Sequence, residues 1–127
     1  MVYLIDDDES VRRALQRLLR SAELDVIAFS SVEEFLQSGN LAEKGACIIV
    51  DIRMPGLTGF DLQEKLASKG IRIPVITVSA FDDAQTRERA RKLGATAFFR
   101  KPVDGEALID AIHWAMGVDK QESRPSK

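Results

Sequence analysis

Short apolar runs alternate along this chain with longer amphipathic stretches, and that alternation restricts the fold more than any other feature. Val2–Ile5, Val26–Phe29, Cys47–Val50, Val75–Val78 and Ala97–Phe99 are too short for helices and rich in β-branched or aromatic residues. The segments between them have helical periodicity. From Glu9 to about Ala22, Val11, Leu15, Leu18 and Leu19 fall on one face, with Arg12, Arg13, Gln16, Arg17 and Arg20 facing away. Val32, Phe35 and Leu36 repeat the pattern behind Ser30 or Ser31 as N-cap. A third helix is predicted from Phe60 to about Lys69, closed by Gly70, and a fourth, very polar, from Asp82 to Leu93, closed by Gly94. Asp104 caps a fifth that runs to about Met116. Strand and helix alternating in this way predict an α/β fold: a doubly wound sheet of five parallel strands with right-handed crossovers and helices on both faces. The runs at 47–50 and 75–78 read as central strands buried on both faces.

A chain of 127 residues fits one domain. The domain is expected over residues 1–118, with the polar stretch 119–127 as a tail or the start of a linker. A net charge of -2 argues against a broad nucleic-acid or membrane surface. No apolar stretch is long enough to span a bilayer, and the first residues lack the basic start of a signal peptide, so a cytoplasmic location is expected. Cys47 is the only cysteine and lies in an apolar run, where it reads as a small core hydrophobe and not as a reactive thiol.

In such folds ligands sit beyond the carboxyl ends of the strands. The first strand ends in Asp6-Asp7-Asp8, the third in Asp51, the fourth in Ser79-Ala80 and the fifth in Arg100-Lys101-Pro102. Carboxylates gathered in one place repel one another and raise one another's pKa unless a cation sits among them. Magnesium, which favours one or two carboxylates, waters and a phosphate oxygen, suits an open cluster of this kind. A carboxylate between such an ion and the Lys101 ammonium is poised to attack phosphorus, because the two positive charges neutralise the group in transfer. Asp8, just ahead of the first helix, is better explained as its N-cap.

These residues resemble the receiver domain of bacterial response regulators. The likeness runs from Val2 to about Val118 and rests on Val2-Tyr3-Leu4-Ile5-Asp6-Asp7-Asp8, Val50-Asp51-Ile52-Arg53-Met54-Pro55-Gly56-Leu57-Thr58-Gly59, Thr77-Val78-Ser79-Ala80, Gly94-Ala95 and Phe98-Phe99-Arg100-Lys101-Pro102. It implies a flavodoxin-like strand order 2-1-3-4-5. It implies Asp51 as the phosphoacceptor. It implies Asp7 and Asp51 as direct ligands of Mg2+, Asp6 as a ligand mainly through water, and Arg53 as a ligand through its backbone carbonyl. Ser79 matches the switch hydroxyl, Phe98 the switch aromatic and Lys101 the phosphoryl-pairing lysine. A cis peptide before Pro102 is common in the family. Pro55 and Gly56 turn the chain after the acceptor strand, and Gly59 opens the next helix. Arg53 and Phe81 occupy positions that tune the lifetime of the phosphoryl group, and residues around Arg53 and Met54 point to the FixJ type. The implied partners are a sensor histidine kinase or a histidine phosphotransfer protein. Phosphorylation would remodel the surface of the fourth helix, fifth strand and fifth helix, which would meet a dimer partner or an output domain. Direct nucleic-acid binding is not expected, nor is turnover of a separate substrate.

Two rivals use the same fold. A magnesium-dependent aspartyl-nucleophile phosphohydrolase would need a second acidic residue two positions after Asp51, where this chain has Arg53. A flavin-binding module would need a Ser/Thr/Gly-rich phosphate loop after the first strand, where Asp6-Asp7-Asp8 would repel phosphate.

Overall fold

Ten elements follow one another in strict alternation: β1 (Val2–Ile5), α1 (Glu9–Ser21), β2 (Val26–Phe29), α2 (Val32–Ser38), β3 (Cys47–Asp51), α3 (Gly59–Ser68), β4 (Val75–Ser79), α4 (Ala84–Lys92), β5 (Ala97–Arg100) and α5 (Gly105–Ala115). They are seen in a computed structural model that describes residues 1–38, 45–81 and 83–117. The strands form one parallel sheet in the order β2-β1-β3-β4-β5. The expected doubly wound sheet and its strand order are therefore both present. The expected tail at 119–127 and the expected helix start at Asp82 lie outside the described residues.

Side chains alternate across a strand, so each central strand feeds two cores. Tyr3, Ile5, Ile48 and Val50 face one side and pack with Phe29, Val32, Phe35, Leu62 and Leu66. Val2, Leu4, Ile49, Ile76 and Val78 face the other and pack with Leu15, Leu19, Leu108 and Ile112. Val11 and Leu18 of α1 pack against this second core, as their spacing predicts. Cys47 is fully buried there, and burial pushes its thiol up to about 12, which keeps it protonated and inert.

The caps follow from local chemistry. Asp8 Oδ1 accepts from Ser10 N at 2.9 Å, which starts α1. Ser31 Oγ accepts from Glu34 N, and Glu34 Oε1 returns to Ser30 N, so Ser31 is the cap of α2. Thr58 and Asp61 form a reciprocal capping box on α3. Gly70 and Gly94 follow α3 and α4 at φ 68 and 97, where other residues would be strained.

Boundaries differ from the sequence expectation at a few points. α3 begins at Gly59 instead of Phe60, and α4 runs from Ala84 to Lys92 behind Asp83 as its cap. β3 and β4 each extend one residue further, to Asp51 and Ser79. Apolar patterning ends one residue early because these last residues are polar, yet Asp51 still pairs in register with Val78.

Gly59 is needed for close approach. A Cβ there would lie 2.9 Å from the Asp51 carbonyl oxygen and 3.0 Å from Ile52 Cα, both backbone atoms. Gly59→Ala is therefore expected to lower stability by about 1–3 kcal/mol through overpacking, although alanine is the better helix former. Urea unfolding checks this, and an unchanged or higher midpoint contradicts it.

Candidate functional site at the carboxyl ends of the strands

The parallel arrangement brings the polar strand ends to one edge. Asp6 follows β1 and is fully buried; Asp51 ends β3 and is 5% exposed. Lys101 follows β5, and its Nζ lies 2.8 Å from Asp6 Oδ2 and 2.9 Å from Asp51 Oδ2. Asp7 is exposed, but its carboxylate offers an oxygen that lies with one each from Asp6 and Asp51 in a group spanning at most 4.8 Å. Two carboxylates thus contact one ammonium, with a third carboxylate beside them.

Each buried group is held from more than one side. Asp6 Oδ1 accepts from Asp8 N at 2.9 Å, while its Oδ2 faces Lys101 without an aligned hydrogen bond, so charge more than direction joins that pair. Asp51 Oδ1 accepts from Arg53 N at 3.1 Å, and its Oδ2 accepts from Lys101 Nζ. Lys101 N donates to Ser79 O at 2.8 Å, which fixes the start of the lysine loop to the end of β4. The peptide bond before Pro102 is cis.

Burial is the main force on Asp51 and raises its pKa; Lys101 opposes the rise and Asp6 adds to it. Burial likewise works against the Lys101 charge, but the close Asp6 and Asp51 carboxylates outweigh it and hold the ammonium above its usual range. The pocket is short of positive charge. Oxygen donors at this spacing, part buried and part open, suit a hard divalent cation.

Ser79 is fully buried at the end of β4, and its Oγ accepts from Phe81 N at 3.0 Å. That hydroxyl keeps its own proton free to donate. Arg53 and Phe81, the two positions expected to tune phosphoryl lifetime, lie on each other: the Arg53 guanidinium carbon is 4.2 Å from the Phe81 ring centroid. Their stack bridges the β3–α3 and β4–α4 loops. Phe81 remains 50% exposed. Phe98 is half-buried on β5, with Arg87 5.1 Å from its ring centroid.

Arg12 departs from expectation. Helical spacing puts it on the outer face of α1, yet its Nη1 donates to Asp6 O at 2.7 Å and braces the acidic loop. Glu33 of α2 escaped notice altogether. Its Oε2 accepts from Leu57 N at 3.2 Å and would touch a Cβ at Gly56, whose φ is 73. Periodicity carries no signal for either contact, because each joins a side chain to a backbone group in a loop.

Residues 2–113 match the response regulator receiver domain family. Nodulation protein W of Bradyrhizobium diazoefficiens is 40% identical over 121 residues, covering 95% of this chain and 53% of that protein. The transcriptional regulatory protein FixJ of Azorhizobium caulinodans is 37% identical over 123 residues, covering 97% of this chain and 58% of that protein. The crystal structure of FixJ-N superposes with a TM-score of 0.82 at 31% identity, over 91% of both chains. The chain spans about half the length of the curated relatives it matches. With the family matched over this much of its length, the protein belongs to the response regulator receiver domains of two-component signal transduction.

Proposed function

We propose that Asp51 is the phosphoacceptor through which this receiver domain takes its signal. The observation that carries the reading is the Lys101 ammonium shared between Asp51 and Asp6 beside a third carboxylate, Asp7. Receiver domains are phosphorylated on an aspartate and work with histidine kinases and output domains. Here a sensor histidine kinase or a histidine phosphotransfer protein would be the donor.

Asp6, Asp7 and Asp51 would hold Mg2+ with the backbone carbonyl of Arg53. The bound ion would supply the positive charge that lets an anionic phosphoryl group enter. One Asp51 carboxylate oxygen attacks phosphorus, and the bond from phosphorus to the donor nitrogen, or to the acyl oxygen of a small donor, breaks. Lys101 then pairs with the phosphoryl oxygens, and the Ser79 hydroxyl donates to one of them. Phe98 follows Ser79, and the α4-β5-α5 surface changes shape toward a dimer partner or an output domain. The domain catalyses only its own phosphorylation and dephosphorylation. We assign it to the FixJ type and to the cytoplasm; among the described residues no helix is long and apolar enough to cross a membrane. Arg53 speaks against the phosphohydrolase, since a guanidinium cannot serve there as the second acid or base.

Acetyl phosphate is expected to add one phosphoryl group only when magnesium is present, and Asp51→Asn to abolish the gain. Intact-protein mass spectrometry reads this; equal gain in the variant would remove Asp51 from its role. Metal affinity separates the remaining residues. Asp7→Ala should weaken magnesium binding about tenfold or more, whereas Ser79→Ala should change it little. Calorimetric titration decides, and a large loss in the Ser79 variant would contradict the assignment.

The Arg53–Phe81 stack offers no carboxylate or amide to orient an attacking water, which must approach in line with the bond that breaks. Arg53→Asn with Phe81→Glu is therefore expected to speed loss of the phosphoryl group by about tenfold. Unchanged or slower decay of the phosphorylated protein would show that the water path runs elsewhere.

A further inference from the structure

α4 is tied to the rest of the protein by few apolar contacts. Of its nine residues only Thr86 and Ala90 are buried, and neither belongs to an apolar cluster. The contacts that join it to α3 are largely polar. Arg89 lies 4.4 Å from the Phe60 ring centroid and 3.6 Å from Glu64, at the surface. Beneath them, Gln63 Nε2 donates to Ala90 O at 3.0 Å, a carbonyl that also accepts from Ala95 N. Gln63 is 2% exposed, and its Oε1 has no partner. Half of this buried amide grips α4, while its carbonyl oxygen meets no donor from the protein.

The other end of α3 is tied to the acceptor. Gly59 N donates to Ile52 O at 3.2 Å, and no room for a Cβ exists between Gly59 and the Asp51 carbonyl. Gln63 lies one helical turn after Gly59 on the same buried face. α3 thus joins the Asp51–Ile52 backbone at its amino end to Gln63 one turn on. Beside Gln63 a cleft of about 330 Å³, lined also by Leu66, Ile73, Leu93 and Thr96, opens between α3 and the α4–β5 connection. The carboxyl end of α4 thus has space to shift against α3.

We propose that Gln63 is a latch: its bond to Ala90 holds α4 in the unphosphorylated position and is given up when Asp51 is occupied. This rests on Asp51 being the acceptor, as proposed above. It adds a route from the acceptor to α4 through α3, separate from Ser79 and Phe98. A bond made only in the resting form disfavours the other form, and a ligand that selects the other form binds with correspondingly reduced apparent affinity. Removing the bond lifts that reduction.

The test uses the full chain with saturating magnesium and beryllofluoride as the phosphoryl mimic. Gln63→Met keeps the length and burial of the side chain without a polar group, and Gln63→Leu serves the same purpose if the first variant fails to fold. Fluorine NMR measures beryllofluoride affinity, and hydrogen exchange of the α4 amides is followed without the mimic. The variant is expected to bind beryllofluoride about threefold to tenfold tighter than wild type, with faster exchange in α4. A merely structural bond would quicken exchange without tightening binding. An affinity equal to or below that of wild type in a folded variant overturns the latch, whatever the exchange rates. Failure of the wild type itself to bind beryllofluoride overturns the acceptor reading, and the latch with it.

Discussion

The Lys101 ammonium between Asp6 and Asp51 is the contact on which the rest of this molecule turns. Two carboxylates buried this deeply could not both stay charged without it. Asp6 follows β1, Asp51 ends β3 and Lys101 follows β5, and a parallel sheet brings those ends to one edge. The backbone serves the same purpose. Asp8 N, Arg53 N and the Arg12 guanidinium restrain the acidic groups, and Lys101 N is tied to Ser79 O. Even so, one ammonium serves a pocket that gathers three carboxylates. The site gives up some stability to remain ready for a cation and an anion together.

Much of this was legible in the sequence because it depends on period and order. Runs such as Cys47–Val50 could only be buried strands, and the alternation with helices implied parallel pairing. Polar residues ending those runs then had to meet. Asp8 as a cap and Cys47 as core followed from their neighbours alone. What escaped were contacts between a side chain and a distant backbone group. Arg12 looks like an outer-face residue by spacing, and only the folded β1–α1 loop brings Asp6 O within its reach. Glu33 reaches a loop 24 residues away, and Gln63 a helix 27 residues away. The stack of Arg53 on Phe81 depends on how two loops approach each other, which no pattern within either loop encodes.

The two sides of the sheet are unequal. One core packs α1 and α5 through leucines and isoleucines, and the other packs α2 and α3 around Tyr3, Phe29 and Phe35, whose rings meet at centroid distances of 5.2 Å and 5.4 Å for the two pairs with Phe35. Beyond α3 the apolar packing gives out. Gln63, Thr77, Thr86 and the small Ala90 are buried there, and α4 carries four basic side chains and little to bury. A helix attached by polar contacts can move without breaking a core. The division places the rigid part of the protein under the acceptor and the yielding part at the surface expected to signal.

Thermal unfolding of wild type and Asp51→Asn in chelator-treated buffer, across pH, tests the electrostatic claim most directly. Burial holds the folded pKa of Asp51 above its unfolded value, so its contribution to stability is full below the unfolded pKa of about 3.9 and is lost as pH rises through the folded pKa. The account predicts that Asp51→Asn melts higher than wild type at neutral pH, by about 1 kcal/mol of stability, and that the gap closes as pH falls toward about 4. A variant that melts lower than wild type at neutral pH would contradict it.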